Sequence, residues 1–174
     1  LMKSGNSNYE TFIRSSLKPF QVLPYLTSGT YNNINGDDKS IAIACGSHKG
    51  EIFQARETFK LLWKSGIDIT YLKCPIPENK KSNLQHNCSG KHAAILATCK
   101  NMGWSLSNYL DKEHPIQKEI FKRVSELLKI PIGELKSEKD DCGVPTLKLK
   151  LGQMANLYAN LCSLKYPELK RITK

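Results

Sequence analysis

No stretch of this 174-residue chain approaches the roughly 20 apolar residues a membrane-spanning helix requires, so no helical crossing of a bilayer is expected. Arginine is scarce, with four residues against 22 lysines scattered along the whole chain. Nucleic-acid surfaces favour arginine as well, clustered on one face and mixed with aromatics. The net charge of +10 is therefore read as a lysine-biased composition, and no nucleic-acid partner is expected. No CxxC pair exists, which excludes zinc-finger and zinc-ribbon spacings. The opening residues, 1–6, have no apolar core behind a basic stretch, so no secretory signal is read there. Without an export signal, six widely spaced cysteines do not suggest a disulfide framework, and a cytoplasmic location is the expectation.

What is present fits one globular domain over residues 1–174. Apolar residues make up 40% and charged residues 24%, ordinary values for a chain that buries a core. Apolar spacing predicts a helix over 15–26 with Phe20, Leu23 and Leu26 on one face, closed at Gly29. Ser40 to Cys45 reads as a short buried strand, and Ile67 to Leu72 as a second. Between them the turn at Gly46–Glu51 leads into a helix to Ser65, with Ile52, Ala55, Phe59, Leu62 and Trp63 inward and Gly66 as its C-cap. The prolines and asparagines of 74–87 predict an exposed loop. Further helices are expected over 89–102, 116–130 and 151–164. The result is a helix-rich α+β pattern with two or three strands, too few for an independent sheet.

The cysteines divide by surroundings. Cys45, Cys99 and Cys162 lie in apolar patterns and are expected in the core. Cys88 and Cys142 each sit beside a glycine in a polar turn, Asn87-Cys88-Ser89-Gly90-Lys91 and Asp140-Asp141-Cys142-Gly143. A metal held by these two needs a third donor, for which His86, Lys91, His92 and Asp140 are candidates. Cys88 at a helix start, where a thiolate is stabilised, could equally be a nucleophile with His86 or His92 as its base.

Two serines carry another kind of chemistry. Ser15 and Lys18 form a Ser-x-x-Lys at a predicted helix start, a spacing that puts both on one face. A lysine of depressed pKa can accept the serine proton, and Arg14 can grip a carboxylate. By itself the motif is equally a serine cap with a solvated lysine. Ser47, on a glycine-flanked turn, is expected near free N–H groups at the next helix start, with His48 as a possible proton acceptor. A simple cap completed by Glu51 is the plain alternative.

Four stretches together resemble the rhizobial-type (class 3) L-asparaginases. They are Arg14-Ser15-Ser16-Leu17-Lys18-Pro19-Phe20-Gln21, Ala44-Cys45-Gly46-Ser47-His48-Lys49-Gly50-Glu51, His86-Asn87-Cys88-Ser89-Gly90-Lys91-His92-Ala93 and Asp141-Cys142-Gly143-Val144-Pro145. The resemblance implies a serine β-lactamase/glutaminase-like fold, a homodimer, and hydrolysis of L-asparagine to aspartate and ammonia. It assigns Ser15 and Lys18 as a Ser-Lys pair and Ser47 as the serine of a second pair. Cys88, Lys91 and Cys142 would be a zinc site, with Arg14 and Asp140 binding the amino acid and His92 beside them. It also implies that this chain is a fragment: the second serine's lysine and outer strands at both ends would lie outside it. Asp141 stands where a small residue is expected, and Lys49 adds charge to the serine turn. The alternatives are an inactive zinc-binding fragment of that family, a penicillin-recognising acyl-hydrolase, which would leave the cysteine pair unexplained, and a basic nucleic-acid binder.

Overall fold

The computed structural model describes residues 5–162 and 167–173. The chain opens with the short strand β1 (Glu10–Phe12), then a 3-10 turn (Arg14–Leu17) and three short helices, α1 (Lys18–Gln21), α2 (Leu23–Thr27) and α3 (Thr30–Asn33). This is the expected helix, broken into single turns. Gly29, at φ +80°, separates α2 from α3, a conformation that suits glycine.

Where a strand was expected over 40–45, the chain forms the helix α4 (Asp38–Cys45). Asp37 accepts a hydrogen bond from Ser40 N at 2.9 Å, and Ser40 Oγ accepts one from Asp37 N at 3.2 Å. This reciprocal capping box starts a helix whose inward face is Ser40, Ile41, Ile43 and Ala44. The second expected strand, 67–72, is likewise not extended. Asp68 takes the Thr70 N–H and hydroxyl, which folds Ile69–Tyr71 into a 3-10 turn.

Helix α5 (Ile52–Lys64) lies where expected, but its buried side does not. Thr58, Leu61 and Leu62 face inward, Ala55 is half-buried, and Ile52, Phe59 and Trp63 lie exposed, Trp63 at 73%. The 74–87 loop follows and leads into α6 (Ser89–Asn101), the axis of the molecule. Every residue from Ser89 to Cys99 is buried. A helix enclosed on all sides has no amphipathic stripe; its small residues Gly90, Ala93, Ala94 and Ala97 let α4 and α5 pack close.

Helix α7 (Pro115–Leu128) buries Ile116, Ile120, Val124, Leu127 and Leu128 as expected, and ends at Lys129 in the left-handed region. Strands β2 (Lys136–Lys139) and β3 (Pro145–Lys150) then form a hairpin. The antiparallel sheet runs β1-β3-β2, with Thr11 opposite Leu149 and Lys139 opposite Pro145. The α+β class therefore holds with three strands among the described residues, although both expected strands are helical or turn segments. Helices α8 (Leu151–Cys162) and α9 (Pro167–Thr173) complete the chain. Leu164, the expected end of α8, lies outside the described residues. Cys99 is in the core as expected, Cys45 is half-buried, and Cys162 is exposed rather than buried.

Candidate active site

Three segments meet at one end of α6. The 3-10 turn brings Arg14, Ser15 and, at its end, Lys18. The turn between α4 and α5 brings Ser47 and His48. The start of α6 and the β2–β3 hairpin tip bring Cys88, Lys91, Asp140, Asp141 and Cys142.

Lys18 is fully buried at the centre. Its Nζ lies 2.6 Å from Ser47 Oγ, 3.1 Å from Gly46 O and 2.9 Å from Asn87 O. Burial pushes its pKa down; the nearby Cys88 sulfur opposes that shift and the Lys91 charge adds to it. None of the three partners is Ser15, which is exposed one turn earlier, so Lys18 is hydrogen-bonded to the second serine rather than to its near neighbour in sequence. The two carbonyls can only accept. As an ammonium Lys18 donates to all three; as a neutral amine, with two N–H groups and one lone pair, it can keep Gly46 O and Asn87 O on its donors and turn the lone pair toward the Ser47 hydroxyl.

Ser47 sits between two helices, not between a strand and a helix. The start of α5 carries a capping box, in which Gln54 Oε1 takes the Glu51 N–H at 3.0 Å. His48 does not serve Ser47 as a base: its Nδ1 accepts from Gly50 N at 3.2 Å and its Nε2 lies 2.9 Å from Ser89 Oγ. Burial, with help from Lys18 and His86, lowers its pKa to about 4.

Cys88 and Cys142 are free and buried, and each shifts the other's thiol. Cys142 and burial push the Cys88 thiol up, while Cys88, His92 and the Lys91 charge pull Cys142 down, against the effect of burial. Lys91, also buried, places Nζ 3.3 Å from Cys142 Sγ.

His92 is 0% exposed. Tyr109 accepts the Lys73 N–H at 3.0 Å and so donates its own proton to His92 Nδ1 at 2.7 Å. The remaining Nε2–H faces the Cys142 sulfur and has no fully formed hydrogen bond. Tyr109 was not foreseen, since nothing in its surrounding loop marks it as chemical. The carbonyls of Gly46 and Asn87 were not foreseen either, although both lie inside the quoted motifs.

Among the described residues, no group of three or more His, Cys, Asp and Glu side chains stands ready for a metal ion. The two cysteine sulfurs reach three donors only with the Lys91 amine. That set is of soft and borderline donors, which suits zinc, and the unpartnered His92 nitrogen beside it marks a cluster with unspent hydrogen-bonding capacity.

Arg14 stands at the rim in the left-handed region, φ +49°. Its N–H is held by Thr146 Oγ1 at 2.9 Å. Its guanidinium pairs with Asp140 at 3.1 Å and, more closely, with Asp141. A bulky residue in that conformation is strained, and such strain clusters at functional sites.

No described helix is long and apolar enough to cross a membrane. No curated protein matches the chain significantly. A family model described as L-asparaginase II matches residues 1–174. With the match running over the whole chain, including every segment that meets at Lys18, the chain belongs to the L-asparaginase II family.

Proposed function

We propose that the protein hydrolyses L-asparagine to L-aspartate and ammonia through a Ser-Lys nucleophile, in the manner of the class 3 L-asparaginases and on a β-lactamase/glutaminase-like fold. The observation that carries this reading is the 2.6 Å contact between Lys18 Nζ and the exposed Ser47 hydroxyl. Neutral Lys18, favoured by burial, takes the Ser47 proton as Oγ attacks the side-chain amide carbon. The C–N bond then breaks, and ammonia leaves with the proton returned by Lys18. Water, deprotonated by the same amine, releases aspartate from the acyl-serine. Ser15 lies within the same segment as the second possible nucleophile. Arg14 is placed to bind the substrate carboxylate, and Asp140 its ammonium group.

Cys88, Lys91 and Cys142 would hold zinc, which when bound supplies a fixed positive charge beside the substrate. His92, oriented by Tyr109, helps pull Cys142 toward the thiolate that such binding needs. The homodimer and the cytoplasmic location belong to the same reading.

The test is ammonia release from L-asparagine, with and without added zinc. Ser47→Ala and Lys18→Met are each expected to lower kcat about 10²- to 10⁴-fold, and Cys88→Ser with Cys142→Ser to stop zinc from travelling with the protein through desalting. Folded protein that carries zinc but releases no ammonia would favour the inactive zinc-binding alternative.

A further inference from the structure

The histidine next to Ser47 has no free nitrogen. His48 Nδ1 accepts the Gly50 N–H at 3.2 Å, so the ring proton is on Nε2, which donates to Ser89 Oγ at 2.9 Å. Ser89 is fully buried and donates its only proton to Leu84 O at 2.8 Å. Its lone pairs are left for His48 and for Thr58 Oγ1 at 3.2 Å. Every donor and acceptor is matched for the neutral Nε2–H tautomer alone. A second proton on Nδ1 would face the Gly50 N–H, donor against donor.

The rest of the turn is held as firmly. Lys18 binds Gly46 O and Ser47 Oγ, and Gln85 Nε2 donates to Gly50 O at 3.0 Å. Gly50 has φ +72°, and a Cβ there would lie 2.2 Å from Gln85 O. Among the described residues, only the His48–Ser89 hydrogen bond ties this turn to the first residue of α6, the helix that also carries Lys91.

We infer that His48 is a positioning residue for Ser47: as a neutral imidazole it locks the serine turn to the start of α6 and so fixes the Ser47–Lys18 contact. The inference rests on the Ser-Lys reading above. Two of the three Lys18 partners are on this turn, so a shift of the turn disturbs the amine and the nucleophile together. A displacement of about 1 Å at a reacting group can cost on the order of 10²-fold in rate.

The experiment compares ammonia release by the unmodified protein with that of His48→Ala, His48→Gln, Ser89→Ala and the Ala/Ala double variant, and solves the structure of His48→Ala. His48→Ala is expected to lower kcat about 10- to 100-fold with KM within about twofold, since Arg14 and Asp140 are untouched. Glutamine, whose Nε2 can still donate to Ser89, restores most of the rate. The double variant loses less than the two single variants added together, because both break the His48–Ser89 bond, although Ser89→Ala also removes the bonds to Leu84 O and Thr58. An unchanged kcat, a parallel rise in KM, no rescue by glutamine, or additive losses would each overturn the inference. If the unmodified protein releases no ammonia, the asparaginase reading fails by itself. The structure of His48→Ala then decides: the lock stands if Ser47 Oγ and Lys18 Nζ separate beyond about 3.5 Å, and falls if they stay near 2.6 Å.

Discussion

Arg14 and Asp141 form an ion pair that the proposed chemistry has to break. The Asp141 side chain is 84% exposed and Arg14 55%, so the pair is a solvent-screened one, of the kind that holds weakly. A substrate carboxylate seeking Arg14 competes with it. Asp141→Ser should therefore lower KM for asparagine about two- to fivefold with kcat little changed, as steady-state ammonia release would measure. A higher KM would mean instead that Asp141 orients Arg14 for the substrate. At this scale the sequence was informative wherever a side chain is chemically conspicuous. Ser15, Lys18, Ser47, Cys88, Lys91 and Cys142 all lie in the segments that converge at the α6 start. Partnership was not legible. The three-residue spacing of Ser15 and Lys18 predicts one shared face, yet Ser15 is exposed, Lys18 is buried, and the amine bonds to Ser47, 29 positions away. His48 read as a base because its acceptor role toward Gly50 and its contact with Ser89, 41 positions on, exist only in the folded turn.

Helix α6 carries the site because it can be surrounded. A Cβ at Gly90 would lie 2.1 Å from Ile43 O and 2.6 Å from Ile43 C, both backbone atoms of α4 that cannot turn aside. Gly90→Ala should force the two helices apart, destabilising the protein by about 3 kcal/mol and lowering Tm by roughly 6–12 °C, measured by thermal unfolding. A shift of under about 2 °C would show that the two helices part without strain. The helices of this layer were legible in part. Residues 41 and 43 face inward, as an alternating strand would have them, but with 40 and 44 they also form one helix face; the Asp37–Ser40 capping box decides, and it was overlooked. Strand β2, Lys-Ser-Glu-Lys, has no apolar alternation to read because it is an exposed edge. Strand β3 did carry the signal, with Leu147 and Leu149 inward and Lys148 and Lys150 out, and this was missed. On α5 the stripe through Ile52, Phe59 and Trp63 has helical spacing, but α6 packs on the side bearing Thr58, whose hydroxyl Ser89 needs.

At the scale of the whole molecule, the protein encloses a neutral histidine beside a buried lysine in a chain of net charge +10, and this ties its stability to pH. His48 titrates near 4 when folded and near its ordinary value of 6.5 when unfolded. Between those values the unfolded chain binds the extra proton, so the folded state loses stability as pH falls. The contribution is fully present above about pH 6.5 and is lost through about pH 4. The two values imply a difference on the order of 3 kcal/mol. Charge repulsion in a basic protein also grows over this range as carboxylates are protonated, so the decline alone does not isolate the histidine. A variant does. His48→Gln keeps a donor for Ser89 and has nothing to titrate, so its urea midpoint should fall less steeply than that of the unmodified protein between pH 7 and pH 4, and the two curves should converge toward the acid end. If the curves run parallel, His48 takes up its proton in the folded state at little cost, and the closed set of bonds around Ser89 does not hold the ring neutral.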